Sequence, residues 1–403
     1  MRISSNQIHQ VAVNAMLDQQ SKLSDVQRQV ATGERIFSSS DDPVAAARII
    51  DLQQSVDNFD QYQSSIYSGQ TRLEIQEGVL ANSINVLQRV RELTIQANNA
   101  IQTNDTRASI AQEINQLNSE LKGLANAVDG NSDYLFAGSK VKFTPFTDSA
   151  NGNFRYNGDD GQRMLQIGEN RQISVGDSGT EVFRTIKNGN GKFSINFNSD
   201  NRGTAVANPG GTNQEYQSGN YLLEFDQLND TGDIHYKVTD EKGNIVIAPG
   251  TKYIEEGEIE FRGVQTSFKG IPKDGDSFLI ESSKNQDVFA TLRNLATSLD
   301  TPRNASKEKA KLGNSINQSL VSIDNAIDNI LTIRANTGSR LRALDTQKDI
   351  NSSHLLHLKK VQSEIKDLDY TEAVTRLNLR LTGLEASQKA YSKVQNLTMF
   401  DYI

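Results

Sequence analysis

The sequence predicts an α+β protein in which both termini form a long antiparallel helical coiled-coil bundle and the middle forms a β-rich insert. Glycine and proline are segregated: 20 of the 28 glycines and four of the six prolines fall between Gly138 and Gly275. The aromatic residues follow them, with 18 of the 26 Phe and Tyr residues between Tyr134 and Phe289, as short half-buried strands alternating with turns require. Outside that block the chain is poor in proline and spaces its apolar residues by four and three, which keeps one helical face apolar.

The first element is a modest heptad, Ala12, Met16, Gln19, Leu23, Val26 and Val30, ending near Gly33, so its packing seam is interrupted by a glutamine. After the turn FSSSDDP, Asp42 is placed to cap a helix that begins at Pro43, where a missing N–H costs nothing. A 4,3 pattern then runs through Ile49, Leu52, Val56, Phe59, Ile66, Leu73, Leu80, Ile84 and Leu87, and less regularly to Ile101. At 1.5 Å per residue this helix is roughly 80 to 90 Å long, so it needs packing partners along its length. Asn104 or Asp105 is the expected cap of a third helix, which carries Ile110, Ile114, Leu117, Leu121, Leu124 and Val128, stops at Gly130 and folds back on the second.

Within the insert, YLLEFDQL, DIHYKVTD and GNIVIA read as three strands of a meander, joined by Asn-Asp-Thr-Gly and Glu-Lys-Gly turns. NFRYNGDDGQRMLQI and KFSINF suggest further hairpins. Past the insert, Val288, Leu292, Leu295 and Leu299 mark a short helix broken at Thr301-Pro302. The proline-free tail continues the pattern through Ile316, Leu320, Ile323, Ile327 and Ile330 and then Leu341, Leu344, Leu355, Leu358 and Ile365, giving another long helix. Asp369 with Glu372 resembles a capping box that opens a last helix, with Val374, Leu377, Leu381, Leu384 and Tyr391 on one face. One amphipathic helix alone gains too little by burial, so helices from the two ends must pack together. The resulting domains are 1–40 with 370–403, a terminal coiled-coil core; 41–140 with 285–369, a long-helix bundle; and 141–284, the outer insert.

The chemistry that the sequence excludes is as informative. A net charge of −8 and the absence of a basic run with interleaved aromatics disfavour nucleic acid. With no cysteine there are no disulfides, thiolate metal sites or thiol nucleophiles. No apolar run reaches the ~18 residues of a membrane span, and MRISSNQIHQVAVNAML lacks the apolar core of a signal peptide, so neither membrane insertion nor a cleaved leader is expected. His354 and His357 share a helical face, but HLLH lacks the glutamate of a zinc-protease helix and a third ligand, and reads as packing. NGDDG and KDGDS lack the ligand ladder of a calcium loop and read as turns, and NGNGK lacks phosphate-loop spacing. No catalytic, cofactor or metal residues are assigned, and the chain reads as no enzyme.

LSDVQRQVATGERIFSSSDDPVAAARI and LQRVRELTIQANNA resemble the amino-terminal signatures of the flagellin superfamily, and TGSRLRALD with EIKDLDYTEAVTRLNLRLTGLEASQKAYSKVQNLTMFDYI resembles its carboxy-terminal ones. The likeness covers roughly 1–140 and 285–403. The opening MRISSNQ, the segment DYLFAGSK and the FDYI ending resemble the branch at the junction of hook and filament rather than filament flagellin.

The resemblance implies an inner layer of terminal helices, a surrounding layer of long helices and an outward insert. It further implies export through the flagellar type III apparatus without a cleaved signal peptide, and an extracellular place in the flagellum. The implied partners are the first hook-associated protein, flagellin, further copies of the chain in a ring-like or tubular homo-oligomer, and a flagellar export chaperone. The candidate assembly and chaperone face is Leu377, Leu381, Leu384 and Tyr391, and the amino-terminal packing seam is Ala12, Met16, Leu23, Val26 and Val30. Arg89, Leu93 and Glu113 stand where flagellin meets an innate immune receptor; the competing reading makes Arg89 and Glu113 subunit contacts and Leu93 core. Filament flagellin itself, or a surface adhesin or enzyme on a flagellin frame, are the alternative functions.

Overall fold

The computed structural model of the chain describes residues 5–149, 154–227 and 233–396. Two sequence features, the Asn-Asp-Thr-Gly turn and the MFDYI ending, lie outside the described residues, as does the start of MRISSNQ. Helix α1 spans Ser5–Thr32 and stops at Gly33, whose φ of +75° suits a residue without a side chain. Helix α2, Pro43–Ala97, starts where the Asp42 carboxylate accepts the Ala45 N–H at 3.0 Å. It ends short of Ile101 because the buried Arg107 guanidinium donates to the Ala97 carbonyl at 3.1 Å, filling an acceptor that another helical turn would use.

Helix α3, Asn104–Ala125, differs from expectation at both ends. Its cap is Thr103 rather than Asn104 or Asp105: the Thr103 hydroxyl accepts the Thr106 N–H at 3.2 Å, and the Thr106 hydroxyl accepts the Thr103 N–H at 2.9 Å. It stops at Asn126, ahead of Gly130, because the Asn126 carboxamide takes both the N–H and the carbonyl of Phe146 at 2.8 Å each. Val128 therefore lies beyond the helix, bridged to Tyr134.

The strands follow. β1 (Phe146–Asp148) pairs with β2 (Phe154–Tyr156), and β3 (Met164–Gly168) with β4 (Arg171–Ser174). After the short α4 (Gly179–Phe183) come β5 (Ile186–Lys187), β6 (Phe193–Phe197), β7 (Val206–Ala207) and β8 (Gly211–Thr212). β9 (Tyr221–Asp226), β10 (His235–Asp240) and β11 (Ile245–Lys252) form the expected meander. β12 (Ile259–Phe261), β13 (Val264–Thr266), β14 (Phe268–Lys269), β15 (Ser277–Ser282) and β16 (Asn285–Gln286) complete the set.

The main sheet has the order β11-β10-β9-β15-β6 and is antiparallel throughout. KFSINF is thus no local hairpin: β6 pairs with β15, some 80 residues on, because Phe193, Ile195 and Phe197 share a face with Phe278 and Ile280. NFRYNGDDGQRMLQI likewise splits, its first strand pairing backward to β1 and its second forward to β4.

Helices α5 (Val288–Asp300), α6 (Ser306–Lys366) and α7 (Tyr370–Asn396) close the chain. The chain divides into two compact units, 1–64 with 347–403 and 65–346, so α2 and α6 each contribute to both.

In the larger unit, α2 and α6 run antiparallel, as the pairs Gln70 with Asp345, Glu77 with Arg334 and Arg91 with Asp324 show. Its first core joins Leu80, Leu87 and Leu93 to Ile114, Leu121, Leu292, Leu295, Ile323 and Ile330, and also takes in Phe136, Phe146, Val182, Phe183 and Ile186 from 133–187. A second, aromatic core lies wholly within 193–280 and centres on Phe225, Phe268 and Phe278. A third, smaller one joins Ile66, Leu73 and Leu344 to Ile167 of β3. The chain enters and leaves the second core at one place, because Asn188 and Lys284 bond to each other beside the β5–β16 pair.

Candidate assembly interface

The smaller unit is held first by its turns. The Leu368 N–H donates to Gly33 O at 2.9 Å and the Arg35 N–H to Lys366 O at 2.7 Å, so the α1–α2 and α6–α7 connections pair as two short strands would. The Arg35 guanidinium adds bonds of 3.2 and 2.8 Å to the Ile365 carbonyl, and Lys366 pairs with Glu34 at 2.7 Å. Ile36 and Leu368 are buried beneath. Asp41 accepts the Phe37 and Ser38 N–H groups, and these bonds hold its carboxyl below the usual range.

Beyond the turns, α1 and α7 pair antiparallel: His9 meets Tyr391 edge to face at 5.9 Å, while Gln19 meets Arg380. Leu23 and Val26 are buried, and Ala12, Met16 and Val30 are half-buried. On α7, Ala373 is fully buried, and Leu377, Leu384 and Tyr391 are half-buried. Leu381 lies off that face and is 38% exposed, because the residues at the seam step through 373, 377, 380, 384, 387 and 391.

Gln19 is the residue whose role spacing alone misses. Its amide donates to the Arg380 carbonyl at 3.5 Å and accepts from the Arg380 guanidinium at 3.4 Å. It sits against Gly383, where a Cβ would come within 2.8 Å of its nitrogen. A glutamine on one helix and a glycine on the other were the available signals. Away from the seam both helices keep apolar side chains in solvent, with Val11 65% and Leu17 59% exposed on α1 and Leu379 70% exposed on α7. The α2 and α6 segments of this unit also pack antiparallel, with Phe59 stacked on His354 at 5.4 Å and Gln63 donating to Lys348 O at 2.9 Å.

In the larger unit, Arg89 binds Glu113 with 2.8 Å between Nη2 and Oε1, joining α2 to α3, and also reaches Glu92. These bonds raise the Arg89 pKa further. Leu93 belongs to the helical core and is 2% exposed. Among the described residues no three His, Asp or Glu side chains are arranged to hold a metal, and no helix is long and apolar enough to cross a membrane.

An α+β chain whose two ends return as paired helices, with the β-rich segment inserted between them, is of the flagellin class. Residues 3–141 match the family described as bacterial flagellin N-terminal helical region, and 320–403 match the bacterial flagellin C-terminal helical region. Flagellar hook-associated protein 3 of Salmonella typhimurium is 23% identical over 403 residues, covering 99% of each chain. The crystal structure of hook-associated protein 3 from Legionella pneumophila superposes with a TM-score of 0.75 at 32% identity, covering 78% of this chain and 98% of that one. A flagellin of Clostridium tyrobutyricum, by contrast, is 28% identical over 141 residues, 35% of this chain and 37% of its own. The chain belongs to the flagellar hook-associated protein 3 family, the structural component of the hook–filament junction.

Proposed function

We propose that the chain is an adapter without enzymatic activity, seated between the first hook-associated protein and flagellin as a ring-like or tubular homo-oligomer. One observation carries this reading: α1 and α7 satisfy one apolar face by pairing within the chain, yet keep Val11, Leu17, Leu379 and Leu381 in solvent. A helix pair with apolar side chains left in solvent beside its seam gains by covering them, and copies of the same pair stacked around it in a tube would do so. Before assembly the same exposed side chains fit a flagellar export chaperone, which would take the chain to the type III apparatus and so to the cell exterior.

Immunogold labelling of isolated flagella tests the reading. A single band at the distal end of the hook is expected. Label along the whole filament would establish the filament-flagellin alternative instead.

A further inference from the structure

Three elements of the larger unit turn hydroxyl and carboxamide side chains toward one cavity of about 140 Å³. Helix α5 contributes Thr291, Asn294 and Ser298, and α6 contributes Ser315, Ser319 and Ser322, each set spaced by three and four so that it forms one helical stripe. Strand β6 adds Ser194 and Asn196, two apart, on the face opposite the core residues Phe193 and Ile195. Every lining side chain bears a hydroxyl or a carboxamide, Gly189 has none, and no charged residue takes part.

The polar atoms are unspent. Ser194, Ser319 and Ser322 are each more than nine-tenths buried, with 5%, 9% and 6% of their surface exposed. Their hydroxyls, those of Ser298 and Ser315, and the Asn294 amide make no hydrogen bond among the described residues. Other helical serines do bond within their helix, as Ser83 does to Val79 O and Ser119 to Asn115 O. The rim is meanwhile fixed: Gln318 donates to Ile195 O, and Gln286 donates to the Thr291 hydroxyl at 2.6 Å.

We propose that this cavity binds a small neutral polyhydroxylated molecule, a monosaccharide or a short polyol. A ligand that both donates and accepts along its length matches side chains that do the same. Ions are disfavoured because neither ammonium, guanidinium nor carboxylate lines the wall, and an apolar guest would strand the hydroxyls. The volume equals about four to five waters, which a molecule with several hydroxyls can replace while remaking their bonds. Exposed Asn294 marks the mouth. With no aromatic ring in the wall for a sugar to stack on, binding is weak and directional. All of these residues lie in the larger unit, so the proposal does not depend on assembly through α1 and α7.

The test is a titration of the purified full chain with glucose and, separately, with glycerol, followed by saturation-transfer NMR of the ligand. Saturable transfer is expected, and the two probes distinguish a sugar ring from an open polyol. The double variant Ser319→Ala/Ser322→Ala should weaken it about tenfold, the loss of one to two hydrogen bonds, with the melting temperature unchanged. Should that variant fail to fold, Asn294→Ala at the mouth carries the same comparison. No saturable transfer with either probe, or equal binding by a folded variant, would mean that the cavity holds water alone and would overturn the proposal.

Discussion

Asp177 and Arg340 form an ion pair with 2.5 Å between Oδ1 and Nη2, the aspartate side chain only 3% exposed. The second carboxylate oxygen accepts from the Gln76 amide at 2.5 Å, so one carboxylate ties the segment before α4 to both long helices. Asp177→Ala should cost about 3 kcal/mol, because it leaves a mostly buried guanidinium and an amide without their acceptor. Urea unfolding of the monomer checks this; a change within ~0.5 kcal/mol would show that the pair is dispensable.

A second carboxylate sets a pH dependence. Asp287 caps α5 by accepting the Phe289 N–H at 2.9 Å, and burial pushes its carboxyl above the usual range, outweighing those N–H bonds and Arg184. A raised folded-state pKa favours folding while the group is protonated, and this contribution is lost as pH rises through the folded value. Asp287→Asn keeps the cap without the charge. Its melting temperature should match or slightly exceed that of the parent at neutral pH, with the difference closing as the solution is acidified through the carboxylate range. A difference that widens on acidification would refute this.

The cores predict where the insert can be cut. Replacing residues 190–282 by a short Gly-Ser linker removes the aromatic core as a unit and rejoins a chain already held together by Asn188 and Lys284. Hooks should still receive the shortened protein. Rejoining 145 to 280 instead deletes Phe146 and Phe183, both fully buried in the helical core, at about 3–5 kcal/mol each. That version should be unfolded by circular dichroism, and equal stability of the two deletions would contradict the core assignment.

On α7, Leu381 and Leu384 should behave differently. Leu381→Asp alters an exposed position and should leave monomer stability within ~0.5 kcal/mol, while cells make hooks and shed flagellin into the medium. Leu384→Asp, on the half-buried side, should additionally weaken the α1–α7 pair, seen as faster amide exchange in both helices. Normal filaments with Leu381→Asp present in wild-type amounts would remove that face from the assembly surface.

The sequence by itself determined the long helices, the caps at Asp42 and Asp369, and the β9–β11 meander, because each rests on neighbours a few residues apart. It also placed the insert between two helical ends through the segregation of glycine, proline and aromatic residues. Tertiary structure decided what depends on distant partners. β6 found β15 rather than a hairpin, α3 stopped at Asn126 because Phe146 came to meet it, and Phe146 and Phe183 joined the helical core. It decided the outward turn of Leu381 too, since a helical repeat allows more than one face and only the position of α1 selects which is covered. The hydroxylated stripes of α5, α6 and β6 were visible singly as polar residues. Their convergence on one cavity required the fold, because Ser194 stands 97 positions before Thr291 and 121 before Ser315, and residues so far apart carry no local signal of meeting.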